Sequence, residues 1–185
     1  MWFSTDRFTD KIPNIKKYCN LKKWWYLLEI WALEGKSAIE WVKNRDMKVT
    51  CVDPFILNPK WNFWTPQDVM DRFYNNIKDY EKNIELIKLK SFDYLISANY
   101  EKLKYDVIYV DWNHISKFCL QDMVLSWELL DKWWYMICDD YERANDKNYK
   151  ERERPSTAID SFIKIYQDEF DVVWKGNQVF LLKTK

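Results

Sequence analysis

Four short apolar runs, each ending on or beside a carboxylate, decide what this chain can fold into. Tyr26–Ile30 contains Glu29, Lys48–Val52 runs into Asp53, Tyr105–Val110 stops at Asp111, and residues 135–138 stop at Asp139 and Asp140. The stretches between them follow a different period. Ile39, Trp41 and Val42 share one face of the stretch 36–44, and Val69, Met70, Phe73 and Ile77 repeat at helical spacing. Ile115, Cys119, Met123, Trp127 and Leu130 step by four, four, four and three, the stripe of a helix laid on a sheet. A further run at 84–89 adds a strand between the second and third helices. Short runs alternating with helical stripes predict a parallel sheet crossed by helices. After a last stripe of Ala158, Phe162, Ile165 and Tyr166, the runs 171–174 and 178–182 flank Lys175, Gly176 and Asn177. That pattern predicts a closing hairpin, with Gly176 in a left-handed turn position. The expected fold class is α/β: a doubly wound, mostly parallel seven-stranded sheet with a C-terminal antiparallel hairpin.

The 185 residues suit a single domain, 1–185, able to bury well over half of its unfolded surface without disulfides or a structural metal. Residues 1–22 read as a helical lead-in, and the charged stretch 141–156 as an exposed, mobile loop. Lys and Arg number 29, as do Asp and Glu, so the formal net charge is zero. A general nucleic-acid binder needs surplus cations to displace counterions from phosphates, so no nucleic-acid partner is expected. No run approaches the roughly 18 apolar residues of a membrane span, and Asp6 and Arg7 interrupt the start, so neither a span nor a signal peptide is expected. Cys19, Cys51, Cys119 and Cys138 lie far apart, with no Cys-x-x-Cys pair and a single histidine in the chain. Reduced thiols in a cytoplasmic protein, without a zinc site, are the natural reading.

The strings at the strand ends resemble those of class I S-adenosylmethionine-dependent methyltransferases. Leu27-Leu28-Glu29-Ile30-Trp31-Ala32-Leu33-Glu34-Gly35-Lys36-Ser37 resembles the family's first motif, an acidic residue and a glycine-rich turn between strand one and helix one. Ile108-Tyr109-Val110-Asp111-Trp112-Asn113-His114, the stretch 125–130, Met136-Ile137-Cys138-Asp139-Asp140-Tyr141 and Lys175-Gly176-Asn177 resemble small-molecule O-methyltransferases related to macrocin methyltransferase. The resemblance implies a Rossmann-like sheet with S-adenosylmethionine as cofactor. It places Glu29 near the cofactor's ammonium, with Trp31 at the turn beside it. Gly35 and Ser37 would face the cofactor's carboxylate at the start of helix one, where backbone amides favour an anion. Asp53 would accept bonds from the ribose hydroxyls. Ser91 and Phe92 stand after strand three, where the family often has an acid, which leaves the adenine contacts open.

Asp111, Asp139 and Asp140 sit at the ends of strands four and five, where ligands bind in doubly wound sheets. Asp111 is a candidate for both cofactor and metal, and the three carboxylates would suit an octahedral Mg²⁺ completed by water and substrate oxygens. The other reading is a cluster of loop acids without an ion. His114 is the only histidine, three residues past Asp111. In the metal-dependent catechol methyltransferases that offset belongs to the general base, a lysine there, so the resemblance makes His114 the candidate catalytic base.

Two glycines and twelve tryptophans in 185 residues are far from ordinary usage, in which glycine is about 7%. Trp31, Trp112, Trp133 and Trp134 stand where the family usually has glycine, and Trp24 and Trp25 occupy a turn. Three explanations are open: a noncatalytic relative whose crevice is filled with aromatics, an enzyme whose indoles rotate clear, or a gene in which UGA encodes glycine and has been read as tryptophan. The function expected is metal-assisted O-methylation of a small-molecule or sugar hydroxyl. A noncatalytic scaffold and a nicotinamide-dependent oxidoreductase are the alternatives.

Overall fold

The computed structural model describes residues 3, 8–19, 25–45, 47–56, 64–111, 115–142 and 150–185. Its centre is one seven-stranded sheet of β1 (Tyr26–Ile30), β2 (Lys48–Val52), β3 (Ile84–Ile87), β4 (Tyr105–Val110), β5 (Leu130–Cys138), β6 (Phe170–Lys175) and β7 (Val179–Lys183). The strand order is β3-β2-β1-β4-β5-β7-β6. The first five strands are parallel, and β7 runs antiparallel between β5 and β6. The chain builds outward from β1 to β3, then returns to start β4 on the other side of β1. The direction of winding reverses between β1 and β4, and doubly wound sheets bind their ligands at the carboxyl ends of such strands.

Among the described residues six helices accompany the sheet: α1 (Ile12–Tyr18), α2 (Lys36–Arg45), α3 (Pro66–Ile77), α4 (Ser91–Ser97), α5 (Ser116–Trp127) and α6 (Pro155–Ile165). Successive residues of a strand point to opposite faces, and the core divides on that rule. Leu27, Cys51, Tyr109 and Ile137 pack with Ile15, Ile39, Trp41 and Phe73 on one face. Leu28, Ile30, Ile108 and Cys138 pack with Cys119, Met123, Trp127 and Phe162 on the other. Both faces are covered, so the central strands are apolar along their length rather than alternating. Local chemistry agrees with this arrangement: Thr65 and Asp68 form a reciprocal capping box at the start of α3, with Pro66 at its first position. Among the described residues no helix is long and apolar enough to cross a membrane.

Four expectations need correction. β5 begins at Leu130, because Tyr105 pairs with Leu130 while Val107 pairs with Tyr135, so residues bulge out of β5 between those contacts. Helix α4 follows β3, although only Leu95 of its seven residues is buried and no apolar stripe announces it. Within 141–156, residues 143–149 lie outside the described residues, while Glu151–Glu153 forms a 3-10 turn and Pro155 already starts α6. Gly176 is not left-handed. It is needed for room, since a Cβ there would lie 2.5 Å from the Trp174 ring.

Among the described residues six have φ in the left-handed region: Trp31 at 70°, Leu33 at 47°, Gly35 at 76°, Phe55 at 54°, Trp133 at 71° and Asp140 at 55°. A residue with a Cβ pays about 1–2 kcal/mol there. Five of the six cluster at the carboxyl end of the sheet, and Trp133 lies in the β5 bulge.

Trp127 is fully buried, meets Phe162 and Phe170 edge-on at 5.3 and 5.7 Å, and donates its indole N–H to Glu169 at 2.8 Å. Truncating it leaves a large cavity and an unpaired carboxylate. Trp127→Ala is expected to cost about 3–5 kcal/mol in urea unfolding, and a loss below about 1 kcal/mol would contradict this packing.

Candidate active site

At the carboxyl end of the sheet, where the winding reverses, lies a row of residues that each sit one step past the end of a strand. Trp31 donates its N–H to the Val52 carbonyl (2.9 Å), Asp53 to Ile87 (3.2 Å), Asp111 to Ile30 (3.2 Å) and Asp139 to Val110 (3.0 Å). These bonds extend the parallel ladders beyond their last pairs. By strand parity Asp53, Asp111 and Asp139 continue the side of Cys51, Tyr109 and Ile137, which is also the side of Glu29. Four carboxyl groups therefore share one face at one end of the sheet.

Glu29 is fully buried. The Ser37 hydroxyl donates to its Oε1, and the Cys51 thiol to its Oε2 at 3.8 Å. Burial dominates and, despite these bonds, pushes the carboxyl up to about 8. Ser37 thus serves Glu29 rather than an open anion site. The Gly35 amide is likewise engaged, donating to the Ala32 carbonyl at 2.8 Å. Gly35 contributes its left-handed φ and its lack of a Cβ, which would come within 3.0 Å of Ile77 and 3.1 Å of Phe73.

Asp53 is also fully buried. Its Oδ2 accepts the Leu33 N–H at 2.8 Å and its Oδ1 the Phe55 N–H at 2.6 Å. One carboxylate thereby ties the loop after β1 to the loop after β2 and holds Leu33 and Phe55 in the left-handed conformation. Burial raises its pKa, and the amides of Leu33, Phe55 and Ala32 partly offset that. With about four lone-pair sites and three amides on them, the carboxylate can take one further donor. Ser91 starts α4 and hydrogen-bonds Asp122, a buried acid pushed up to about 7 by desolvation. Phe92, the next residue of α4, is 40% exposed.

Asp139 is almost fully enclosed and heavily engaged. The Lys11 ammonium forms an ion pair with its Oδ2, the Tyr109 hydroxyl donates to the same oxygen at 2.6 Å, and the Asp140 N–H donates to Oδ1 at 2.9 Å. Gln178 approaches the Tyr109 hydroxyl at 3.4 Å from β7's edge. Burial lowers the pKa of Lys11, but Asp139 and then Asp111 outweigh it, so the ammonium is held charged. Burial, followed by Asp139, pushes the Asp111 carboxyl well above the usual range, against the pull of Lys11.

This donor set does not fit the expected Mg²⁺ site. A divalent ion needs carboxylate oxygens turned toward one point, whereas Asp139 is spent on an ammonium, a phenol and an amide, and Asp140 leaves the sheet in a left-handed turn. Among the described residues no three His, Cys, Asp or Glu side chains are gathered for a metal. His114 and Trp112 lie outside the described residues. Lys11, Tyr109, Gln178 and Asp122 are site or near-site residues that sequence reasoning passes over.

Comparison with known proteins adds the fold's relatives. No protein-family model matches the sequence, and no curated protein matches it. Solved structures do. A Staphylococcus aureus protein described as a caffeoyl-CoA O-methyltransferase superposes with a TM-score of 0.68 at 17% identity, covering 97% of this chain and 84% of that one. The O-methyltransferase TomG of Streptomyces achromogenes, solved with S-adenosylmethionine, gives 0.67 at 12% identity, covering 98% and 82%. A Clostridium thermocellum protein described as an rRNA methylase gives 0.66 at 12%, covering 100% and 99%. The chain has the class I methyltransferase fold, a Rossmann-like sheet closed by its antiparallel hairpin.

The raised pKa of Glu29 has a signed consequence for stability. The native state holds a proton on Glu29 that the unfolded chain loses above 4.5, so stability falls as pH rises from about 4.5 and levels off above about 8. The penalty at alkaline pH is several kcal/mol, with an upper bound of roughly 5. Glu29→Gln is expected to flatten this slope in urea unfolding series and to be the more stable form at pH 8. Parallel pH profiles for the two proteins would contradict the assignment.

Proposed function

We propose that the chain is an S-adenosylmethionine-dependent methyltransferase acting on a hydroxyl of a small molecule. The observation that carries this reading is the row of Glu29, Asp53, Asp111 and Asp139 on one face of the sheet, at its topological switch point. The donor set fits the cofactor in chemistry. An acid crest suits a ligand bearing an ammonium and a sulfonium, and Asp53 keeps acceptor capacity for a ribose hydroxyl.

When bound, S-adenosylmethionine supplies a methyl group already activated by its sulfonium, so the protein's task is alignment and removal of one proton. Glu29 holds the cationic end once it gives up its own proton. Asp53 orients the ribose from a position its two backbone bonds make rigid. Phe92 offers an aromatic face to the adenine. Asp111, Asp139, Lys11 and Tyr109 line the acceptor end, where the Lys11 ammonium balances the acids and fixes the direction of Asp139. His114, three residues beyond Asp111, is the proposed general base for the acceptor hydroxyl. The likeness to O-methyltransferases supports an oxygen acceptor, and the zero net charge favours a small molecule over nucleic acid. Buried thiols suit a reducing, cytoplasmic setting.

One observation supports a second reading, a noncatalytic domain: Trp31 is half-buried and packs on the core beside the β1 end, where the crevice begins. Isothermal calorimetry with S-adenosylmethionine separates the two. The Trp31→Gly protein is expected to bind and to methylate a catechol or hexose acceptor from a test panel, while the unchanged chain binds more weakly. In the Trp31→Gly background, Glu29→Gln should weaken binding by roughly tenfold or more, the scale of a lost charge-assisted bond. Affinity should rise with pH up to about 8 as Glu29 ionises, and Glu29→Gln should abolish that limb. Absence of binding in the Trp31→Gly protein would overturn the methyltransferase reading and leave the scaffold.

A further inference from the structure

We propose that positions 31 and 133 are glycine in the protein made by its own cell, the two codons being UGA assigned to glycine. Backbone geometry at the two positions points to this, whatever the chain's activity. Trp31 and Trp133 have φ of 70° and 71°, next to 76° at Gly35, the one glycine of the chain in that region. Left-handed backbone is routine for glycine, tolerable for Asn and Asp, and an outlier for a bulky side chain.

The other occupants of this region each show what holds them there. Asp140 is of a tolerated type and donates its N–H to Asp139. Leu33 and Phe55 are pulled in by the two oxygens of Asp53, and Phe55 buries its ring against Phe73 at 6.1 Å. Trp133 has no comparable burial, and its ring meets the neighbouring Lys132 ammonium at 5.1 Å. Its side chain is 60% exposed, in a bulge of β5 where the ladder to β4 skips residues, a setting that glycine commonly fills. Trp31 lies where a turn must bring backbone close to whatever fills the crevice.

Well-packed tryptophans have an unrelated geometry. Trp127 is enclosed by aromatic rings with its indole N–H bonded, and Trp25 is 3% exposed with its ring 4.6 Å from that of Trp134. None of Trp25, Trp127 and Trp134 is left-handed. The structure thus divides the tryptophans by backbone conformation, and it narrows the glycine-like set at the described positions to Trp31 and Trp133. A reassigned codon accounts for a chain with two glycines and twelve tryptophans. UGA differs from the glycine codon GGA by one base, so a glycine transfer RNA reaches it by a single anticodon change.

The test reads the gene and the native protein together. Codons 31 and 133 should be UGA and codon 127 UGG, and peptide mass spectrometry of the protein from its own cells should show glycine at 31 and 133 and tryptophan at 127. Tryptophan in either native peptide, or UGG at either codon, overturns the proposal. A physical arm uses the chain with tryptophan at these positions, made recombinantly. Trp133→Gly should raise the thermal midpoint by about 2–4 °C through relief of the left-handed strain, and Trp133→Ala, which keeps a Cβ, should not. A Trp133→Gly midpoint no higher than that of Trp133→Ala contradicts the geometric argument.

Discussion

Four backbone hydrogen bonds that run past the ends of the strands hold the rest of the site in place. Trp31, Asp53, Asp111 and Asp139 each sit one residue beyond a strand, and each is tied by its own N–H to the last or near-last carbonyl of the neighbour. A parallel ladder normally loses register where the chain turns away. Here it is prolonged by one rung on four adjacent strands, so the side chains on that rung inherit the sheet's rigidity and its alternation. Without those rungs the acids would belong to loops, with no fixed separation and no shared face.

Three acids on that rung, together with Glu29 two residues before Trp31 within β1, set the electrostatics. Alternation places Glu29, Asp53, Asp111 and Asp139 on the face covered by α1, α2 and α3, away from bulk water, where an uncompensated carboxylate is costly. The structure answers the cost differently at each. Asp53 takes loop amides, Asp139 takes the Lys11 ammonium and the Tyr109 hydroxyl, and Asp111 leans on Lys11 at longer range. Glu29 receives only a hydroxyl and a thiol, and it answers by holding its proton up to about 8. Asp111 is pushed up by burial as well, so what sets Glu29 apart is its place on β1 beside the Trp31 turn, where the proposed reading seats the ligand's ammonium.

Much of this was legible in the chain. The limits of β1, β2 and β4 follow from apolar runs bounded by charge, and the positions of the acids follow from those limits. The start of β5 was not legible, because its bulge places Asp131, Lys132 and Trp133 outside any alternation. Helix α4 buries one side chain and so leaves no periodic trace. Lys11 is 128 residues from Asp139 in sequence, and no local pattern joins a lysine of the lead-in to an aspartate at a strand end. Tyr109 shares the parity of Asp111 yet reads as core, which it also is. The expected metal trio failed at the same point: spacing shows which residues reach a strand end, while their oxygens' directions depend on donors from elsewhere in the fold.

The central claim is that this acid row is the floor of a cofactor crevice, with Glu29 facing the ligand's ammonium. A crystal structure of the Trp31→Gly protein with S-adenosylhomocysteine tests it most directly. The account predicts the ligand's amino group within hydrogen-bond distance of Glu29, its ribose hydroxyls on Asp53, and Ser37 released from or shared with the ligand. A ligand bound on the opposite face, with Glu29 still closed over by Ser37 and Cys51, would contradict it.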